Sequence, residues 1–450
     1  MSPTLPTAPR RGPESHRPGH SHSPGRLNVA VVGTGISGLG AARMLSERHR
    51  VTVFEANRYV GGHTNTIEVV ERSPGGRRVL PVDTGFIVFN ERNYPLLTEL
   101  FQRLGVEARD SDMSFSVHDE ASGLEYNGTS LNALFAQRRN LVRPSFWGMV
   151  RDILRFNRHA PRALESLGDN VPVETWVRYH GYGDAFLNHY LLPLGGSLWS
   201  CDGATFARFP MRFVIEFLHN HAMLQVEGRP RWRTVVGGSR SYVAPLIRPF
   251  MNAIQLETPV TRVCRTARGV DVYTAQGVER FDEVVMACHA DQALALLEDP
   301  DADEREVLEH FPYQVNEAVL HTDTSRLPDR PLAWASWNYR IPSSPRETVS
   351  VTYNMNKLQG LVSDRTYLVS LNQGDVVAPE RIIRRINYEH PLFTPGRLRA
   401  QARHAEFIRR NRVSYCGAYW GYGFHEDGLR SGLAVAEAFD MGLGNLERAA

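Results

Sequence analysis

The chain has 450 residues, a net charge of +2 and 42% hydrophobic residues, which is typical of a globular protein with two or more structural units. No apolar stretch approaches the roughly 20 residues that cross a bilayer, so a membrane-spanning protein is not predicted. The net charge is near neutral and nothing in the sequence resembles a nucleic-acid footprint, so we predict no nucleic-acid partner.

The N-terminal segment, residues 1–26, is rich in Pro, Arg, Ser, Gly and His, and we predict a disordered tail there. It lacks the apolar core that a secretion signal needs. The four cysteines, Cys201, Cys264, Cys288 and Cys416, are widely spaced and include no CxxC pair. This spacing favours reduced thiols in a cytoplasmic protein over a disulfide framework or a metal site.

An apolar run from Leu27 to Val32 leads directly into Gly33-x-Gly35-x-x-Gly38, which predicts a strand followed by a helix. Glycines with this spacing allow a tight turn and let backbone amides approach a pyrophosphate at a helix N-terminus. A second predicted strand ends at Glu55, whose carboxylate can accept the hydroxyls of a ribose. The pattern predicts a dinucleotide-binding unit and leaves FAD and a nicotinamide cofactor equally open.

Two later parts of the chain resemble a continuation of this unit. Short apolar runs between residues 234 and 290 predict strands, and Val413–Phe439 predicts a strand, a glycine-rich turn and a helix that starts near Glu426. The intervening segments are richer in aromatic residues and proline. We therefore predict an α/β fold with a discontinuous Rossmann-like domain (residues 27–95, 234–310 and 405–445) and an inserted substrate domain of mixed sheet plus helices (residues 96–233 and 311–404).

These spaced segments resemble the flavin amine oxidase and phytoene desaturase superfamily of FAD-dependent oxidoreductases. Within it, the resemblance is greatest to bacterial NAD/FAD-binding flavoproteins linked to unsaturated or cyclopropane fatty-acid metabolism. The match is carried by the first glycine loop, Glu55, Val60-Gly61-Gly62, Asp83-Thr84-Gly85, Val260 in a predicted strand, and Gly423-Phe424-His425-Glu426. The resemblance implies FAD as the cofactor, bound by Gly33, Gly35, Ile36, Ser37, Gly38, Glu55, Ala56, Gly61, Gly62, His63, Gly85, Phe86, Val260, Gly417, Gly423, Phe424 and His425.

Two departures from the family pattern argue against a typical amine oxidase. The second glycine pair is followed by His63 where the family usually has arginine, and a histidine neutralises phosphate only when it is protonated. Gly417 is followed by Ala418 and Tyr419 where the family usually carries an acidic residue.

The resemblance gives two candidate catalytic residues. His425 would lie beside the flavin, where its side chain can act as a base or polarise the cofactor, unless only its backbone amide matters. Lys357, in a predicted strand, corresponds loosely to a family lysine that holds a water near flavin N5, and an ordinary surface lysine is the alternative. For Glu426 and Asp427 at the start of the last helix, we expect at least one to act as a cap.

The predicted function is an FAD-dependent oxidoreductase that abstracts hydride from an apolar, fatty-acyl or related lipid substrate. Trp420 and Tyr422 can form walls of the substrate pocket, or they can pack between the domains. The alternatives are a flavin amine oxidase that releases peroxide, a redox-neutral polyene isomerase, and a non-catalytic flavin-binding partner of a lipid-modifying enzyme.

Residues 144–159 predict a basic amphipathic helix. One face carries Phe146, Met149, Val150 and Ile153, and the opposite face carries Arg151, Arg155 and Arg158. Such a helix can lie on an anionic membrane surface, which for a cytoplasmic protein is the inner face of the membrane. Alternatively, it can pack into the core with its arginines in solvent. Both interpretations stay open.

Overall fold

The structure is a computed structural model that describes residues 25–73, 76–225, 228–344 and 347–446. The predicted tail therefore lies almost wholly outside the described residues. The strands are β1 Asn28–Val32, β2 Arg50–Phe54, β3 Thr66–Ser73, β4 Gly76–Asp83, β5 Phe89–Asn90, β6 Ala108–Asp110, β7 Phe115–Asp119, β8 Leu124–Asn127, β9 Trp232–Val235, β10 Ile254–Gln255, β11 Arg262–Thr266, β12 Gly269–Thr274, β13 Gly277–Phe281, β14 Glu283–Met286, β15 Tyr313–His321, β16 Trp337–Ile341, β17 Val351–Asn354, β18 Leu368–Leu371, β19 Ile382–Pro391 and β20 Val413–Tyr415.

Helices connect and cover these strands. They are α1 Ile36–Leu45, α2 Pro95–Leu104, α3 Leu131–Leu134, α4 Pro144–Ala163, α5 Val173–Tyr179, α6 Asp184–Phe186, α7 Leu192–Trp199, α8 Gly203–Ala207, α9 Met211–Asn220, α10 Val243–Ile247, α11 Ala290–Leu296, α12 Ala302–Leu308, α13 Met355–Gln359, α14 Arg397–Ala402 and α15 His425–Glu437.

A five-stranded parallel sheet of order β10-β2-β1-β14-β20 forms the first unit. The central strand β1 is apolar and buried from Val29 to Val32, as expected of a parallel sheet that is covered on both faces. Helices α1 and α15 pack closely, since a Cβ on Gly432 would lie 2.2 Å from the carbonyl oxygen of Ser37. The sheet takes its strands from three distant parts of the chain, so the predicted discontinuous Rossmann-like fold is confirmed.

A seven-stranded sheet of order β19-β15-β18-β17-β16-β7-β8 forms the centre of the second unit. It is mixed, because β16 and β7 are parallel while β16 and β17 are antiparallel. Its apolar face packs under the helices, and Phe115 and Tyr190 contact both the cluster on the sheet and the cluster among the helices. This arrangement confirms the predicted inserted domain of mixed sheet plus helices.

Helix α2 packs with the first unit, because Leu97, Leu100 and Phe101 belong to the same buried cluster as Val29 and Leu433. The predicted division of the chain after residue 95 would separate α2 from this cluster. We propose that residues 96–110 count with the first unit.

Helix α4 contains residues 144–159, the segment predicted to be an amphipathic helix. Its apolar face is turned inward, where Phe146 and Met149 join the sheet cluster and Phe156 joins the helical cluster. Core packing is therefore the correct interpretation for that face of the helix.

Candidate active site

The first glycine loop links β1 to α1 and has one closed side and one open side. Gly33 has a φ of +108°, and a Cβ on Gly38 would lie 2.2 Å from the carbonyl oxygen of Gly33, so neither position accepts a side chain. A Cβ on Gly35 would meet nothing within 4 Å. The first-turn amides of a helix have no intrahelical acceptor, so this open side can receive an anion such as a pyrophosphate.

Glu55 follows β2 and is buried beside this loop. Its carboxylate accepts hydrogen bonds from the backbone nitrogens of Thr34, at 3.0 Å, and Asn57, at 2.8 Å. Thr34 Oγ1 and Asn57 Nδ2, the latter at 3.0 Å, donate to it as well, so four donors share its roughly four acceptor sites and a ribose hydroxyl would take the place of a side-chain donor. The backbone nitrogen of Thr258 donates to the Glu55 carbonyl at 2.9 Å, which brings the segment of Val260 alongside. Val260 lies in the connection between β10 and β11, so its assignment to a strand was wrong.

The second glycine pair folds onto the first loop. The backbone nitrogen of Gly61 donates to Thr34 Oγ1 at 3.2 Å, and a Cβ on Gly62 would lie 3.2 Å from the Cα of Gly35. Both glycines have positive φ, which explains why this residue type is used here.

The segment after β4 lies directly against the second glycine pair. The carbonyl oxygen of His63 accepts from the backbone nitrogen of Phe86 at 2.7 Å, and a Cβ on Gly85 would lie 2.2 Å from that same oxygen. The structure thus brings together three motifs that are separate in the sequence.

His425 opens α15 at the far end of this row of motifs. Its ring stacks on Phe86 with centroids 3.8 Å apart, and its Nε2 lies 3.0 Å from Thr64 Oγ1 and 2.9 Å from the hydroxyl of Tyr242. Burial lowers the pKa of His425 to about 3. The imidazole is therefore neutral at pH 7 and a weak base, which favours an orienting or polarising role for this side chain.

The two acids at the start of α15 both act as caps. The backbone nitrogen of Phe424 donates to Asp427 Oδ2 at 3.1 Å, so Asp427 caps its own helix. Glu426 accepts instead from the backbone nitrogens of Leu96 and Leu97 and so caps α2. The expectation that at least one of them acts as a cap is confirmed.

Of the aromatic residues in the turn before α15, Trp420 packs in the first unit and Tyr422 packs against the helices of the second unit. Trp420 stacks on His404 with centroids 4.4 Å apart and packs in a cluster of the first unit. Tyr422 lies 5.3 Å from Phe213 and 5.5 Å from Phe217 of α9, at the contact with the helices. Tyr422 thus packs against the helices, as the alternative interpretation has it, and a substrate-contacting role for either residue stays a prediction.

Three other predicted cofactor residues flank these positions. The backbone nitrogen of Gly417 donates to Ser431 Oγ at 2.8 Å, which fixes the turn to α15. Gly423 has a φ of +92°, and Phe424 stacks on Phe217 with centroids 5.1 Å apart.

Lys357 lies on the short helix α13, so its assignment to a strand was wrong. The chain leaves β17 at Asn354, whose side chain caps the helix by accepting from the backbone nitrogen of Lys357 at 3.3 Å. The Lys357 side chain is exposed, and its Nζ lies 3.9 Å from Asp112 Oδ2. These contacts match the surface-lysine alternative.

Tyr388 on β19 is a site residue that no sequence motif indicated. Its ring stacks on His63 with centroids 4.8 Å apart, and its hydroxyl lies 2.8 Å from Thr84 Oγ1 and accepts from Asn65 Nδ2 at 3.1 Å. His390, two residues further along the same strand, lies 5.3 Å from His63. The second unit therefore contributes an aromatic wall to the row of motifs.

The charge at this site is low. Burial lowers the pKa of His390 to about 4 and that of His63 well below its ordinary value, and the neighbouring histidines reinforce the effect on His63. A neutral His63 cannot supply the phosphate charge that an arginine would, so backbone amides and the N-terminus of α1 are left to stabilise a pyrophosphate.

FAD fits this arrangement. The open side of the loop at Gly35, the buried acid Glu55 and the segment of Val260 lie side by side and would hold an adenosine pyrophosphate. The second glycine pair and the segment after β4 connect these residues to Phe86 and His425, whose aromatic rings can contact a planar ring system.

Comparisons with known proteins agree with this geometry. The sequence model of the family described as flavin containing amine oxidoreductase matches residues 36–377. A mouse (Mus musculus) L-amino-acid oxidase is 25% identical over 277 residues, covering 55% of this chain and 38% of that protein. The putative flavin-containing monoamine oxidase AofH of Mycobacterium tuberculosis is 26% identical over 289 residues, covering 62% of this chain and 61% of that protein. The chain thus spans less than two thirds of either relative.

Among solved structures, the CLA-producing fatty acid isomerase of P. acnes aligns with a TM-score of 0.62 at 14% identity, over 92% of this chain and 98% of that chain. A likeness at this identity shows the fold alone. The family match covers well over half of the chain. The chain therefore belongs to the flavin-containing amine oxidoreductases, and FAD is its cofactor.

Proposed function

We propose that this protein is an FAD-dependent oxidoreductase that removes a hydride from a carbon of an apolar substrate, a fatty-acyl chain or a related lipid. Family membership supports the oxidoreductase class. The preference for an apolar substrate rests on how the carboxylates near the candidate site are used.

Each of these carboxylates already serves an internal donor. Asp83 accepts from the backbone and hydroxyl of Ser239, from Thr66 Oγ1 and from Gln359 Nε2. Glu426 and Asp427 cap helices, and Glu389 pairs with His289 Nδ1 at 2.8 Å. An ammonium group entering the site would need a carboxylate counter-ion, but these four carboxylates already accept hydrogen bonds from groups of the protein. This commitment is the observation that carries the proposal.

Aromatic side chains line the contact between the large sheet and the helices. Trp337 and Tyr353 lie edge to face with centroids 5.0 Å apart, and Phe115 and Tyr190 bridge the two apolar clusters. Such a lining suits a hydrocarbon chain, which gains by leaving water and asks for no hydrogen bond.

The chain's own residues bind and orient. FAD, when bound, supplies the chemistry as the hydride acceptor. Glu55 and the glycine loops would hold the dinucleotide end of FAD, and the N-terminus of α15 would present its amides and its positive dipole end to the flavin. Thr64 and Tyr242 fix the ring of His425, which we assign a positioning role.

Amine oxidation is the second candidate, and the monoamine oxidase relative AofH favours it. The fold leaves both substrate classes open, since it is shared with a fatty acid isomerase and with putrescine oxidase. Isomerisation of a polyene and a non-catalytic flavin-binding role are further alternatives that the same experiment separates.

The test is anaerobic mixing of the FAD-loaded protein with fatty acids, fatty-acyl esters and primary amines in turn. We expect the flavin absorption band to bleach with a lipid and to stay unchanged with every amine. Bleaching by an amine alone would overturn the lipid assignment. A lipid product with a shifted double bond and no lasting bleaching would indicate isomerisation, and no change with any compound would indicate a binding role.

We also propose a cytoplasmic location. The four cysteines are free in the described part of the chain, which suits a reducing compartment. Across the described ranges, no helix is both long and apolar enough to cross a membrane.

A further inference from the structure

The outward side of α4 and the turn before it expose large apolar side chains. The exposed fraction is 84% for Val142, 49% for Leu141, 48% for Trp147 and 44% for Leu154. Single exposed apolar residues are ordinary, but four within fourteen positions are a patch that needs a partner. We call Leu141, Val142, Trp147, Arg151, Leu154 and Arg158 the α4 surface.

Helical geometry places these residues on one stripe. Trp147, Arg151, Leu154 and Arg158 follow each other by four, three and four positions, so they lie along one face of α4. The indole nitrogen of Trp147 donates to the Leu141 carbonyl at 2.9 Å, which fixes the ring against the preceding turn. The stripe faces away from the buried Phe146 and Met149. It is therefore a different face from the one that the sequence marked as apolar.

The segment that carries the stripe is strongly basic. Residues 131–163 contain seven arginines and one acid, Asp152. Asp152 is buried and lies 3.4 Å from Arg155, whose guanidinium also stacks 3.9 Å above the ring of Tyr182. Within the described ranges, Arg151 and Arg158 form no ion pair. The apolar stripe is thus interleaved with cations that no acid neutralises.

A cavity of 520 Å³ opens at the C-terminal end of the same helix. Its lining includes Arg162, His159, His180, Ser166 and Thr175, and none of its lining residues is an acid. A lining with hydrogen-bond donors and no carboxylate suits a phosphate group. The cavity and the basic surface of α4 therefore both favour an anionic ligand.

We propose that the α4 surface docks on an anionic phospholipid membrane. Trp147 and Leu154 enter the headgroup region together with Leu141 and Val142, and Arg151 and Arg158 lie at the level of the phosphates. Aromatic and aliphatic side chains between arginines are the composition that stabilises a helix in this interface. A nucleic acid would pair with the cations but would leave the aliphatic side chains in water. The inference does not depend on the substrate of the enzyme.

Binding to vesicles tests the proposal with the whole FAD-loaded protein. Vesicles of phosphatidylcholine alone and of phosphatidylcholine with phosphatidylglycerol are sedimented with the protein. We expect binding to the anionic vesicles only, and a loss of about tenfold or more in the double variant Arg151→Glu/Arg158→Glu. The matched control is Arg268→Glu/Arg305→Glu, which reverses two exposed arginines of the first unit and should leave binding unchanged.

Tryptophan fluorescence gives a second readout. Trp147 is the exposed tryptophan in the described part of the chain, so its emission should shift to shorter wavelength on anionic vesicles. The variant Trp147→Phe should lose this shift. Arg155 is left intact because its contacts with Tyr182 and Asp152 are part of the fold.

Three outcomes would overturn the proposal. These are equal loss of binding in both arginine pairs, equal binding to vesicles without anionic lipid, and no vesicle binding by the wild type. A dimer in sedimentation velocity that only Arg151→Glu/Arg158→Glu dissociates would assign the surface to a second copy of the chain instead.

Discussion

The carboxylate of Glu426 lies 3.0 Å from the backbone nitrogen of Leu97, although the two residues are 329 positions apart. It accepts equally from Leu96, and so the last long helix caps the N-terminus of α2. We expect Glu426→Ala to lower the free energy of unfolding by about 1–2 kcal/mol, the usual loss on removing a cap. Glu426→Gln should lose less, because its amide oxygen can still accept.

Urea unfolding measures this effect. The control is Glu437→Ala at the other, exposed end of the same helix, which should leave stability unchanged. An equal loss in both alanine variants would mean that the capping bonds add nothing.

The two glycines of the first loop should respond differently to alanine. Gly38→Ala would bring a Cβ to 2.2 Å from the Gly33 carbonyl, so we expect poor folding. Gly35→Ala meets nothing within 4 Å, so the protein should fold with its melting temperature unchanged in the absence of FAD. It should nevertheless fail to bind FAD, because the new methyl group would occupy the open side of the loop. Retention of FAD by a well-folded Gly35→Ala would show that the pyrophosphate lies elsewhere.

Glu55→Ala should yield largely FAD-free protein, since the acid both orders the loop at Thr34 and is placed for the ribose. Glu55→Gln keeps the size and one acceptor, and we expect weakened but measurable binding. The ratio of flavin absorbance to protein absorbance after purification gives the loading. Glu309→Ala, at an exposed acid of the same unit, is the control, and a fully yellow Glu55→Ala would remove the ribose assignment.

Acid should destabilise the FAD-free protein in part through His390. Its pKa is about 4 in the folded protein against an ordinary value of 6.5, so between these pH values only the unfolded chain takes up the proton. Stability is therefore lost as the pH falls through this window, by up to about 1.4 kcal/mol per pH unit for one such group. His390→Gln should flatten the slope of unfolding free energy against pH.

The difference between the two proteins isolates His390. Burial raises the pKa values of Asp83 and Asp427 to about 6, which acts in the opposite sense, but both carboxyls are present in wild type and variant. If the unfolding free energies of wild type and His390→Gln fall with the same slope between about pH 4.5 and 6.5, the acid sensitivity belongs to other groups.

Arg397 hydrogen-bonds to the turn that precedes α15. It is fully buried, donates to the carbonyls of Leu392 at 2.7 Å and Tyr419 at 3.0 Å, and lies 3.8 Å above the ring of Phe393. Burial lowers its pKa to about 9. A lysine cannot reproduce this planar, forked contact, so Arg397→Lys should lose about 2–3 kcal/mol of stability and release FAD faster.

Arg399→Lys changes an exposed arginine of the same helix and provides the comparison. Thermal unfolding and the rate of FAD release after dilution measure the two effects. Equal behaviour of the two variants would remove the positioning role of Arg397.

The site could be predicted where function resides in local sequence. The loop at Gly33 and the acid at Glu55 were recognisable because short-range geometry dictates their residue types, whereas the turn at Gly423 was recognisable only through the family resemblance. Lys357 was misplaced because neither Gly nor Pro interrupts the sequence from Val349 to Gln359, although the Asn354 side chain caps a helix within it. Tyr388 had no local signal, since its role depends on where β19 meets His63, and no pattern within the strand encodes that contact.

The strand order of the first sheet has a consequence for synthesis of the protein. Strand β1 leaves the ribosome early, but its neighbour β14 comes from the second half of the chain, and the helix α15 that covers α1 comes from its last part. At about 5–20 residues per second, the nascent chain waits roughly 20–80 s between the emergence of α1 and that of α15. During this interval the face of α1 that α15 covers stays exposed, and its apolar side chains become targets for a chaperone. A chain that stops before α15 is therefore expected to be degraded even though it contains every residue of the first glycine loop.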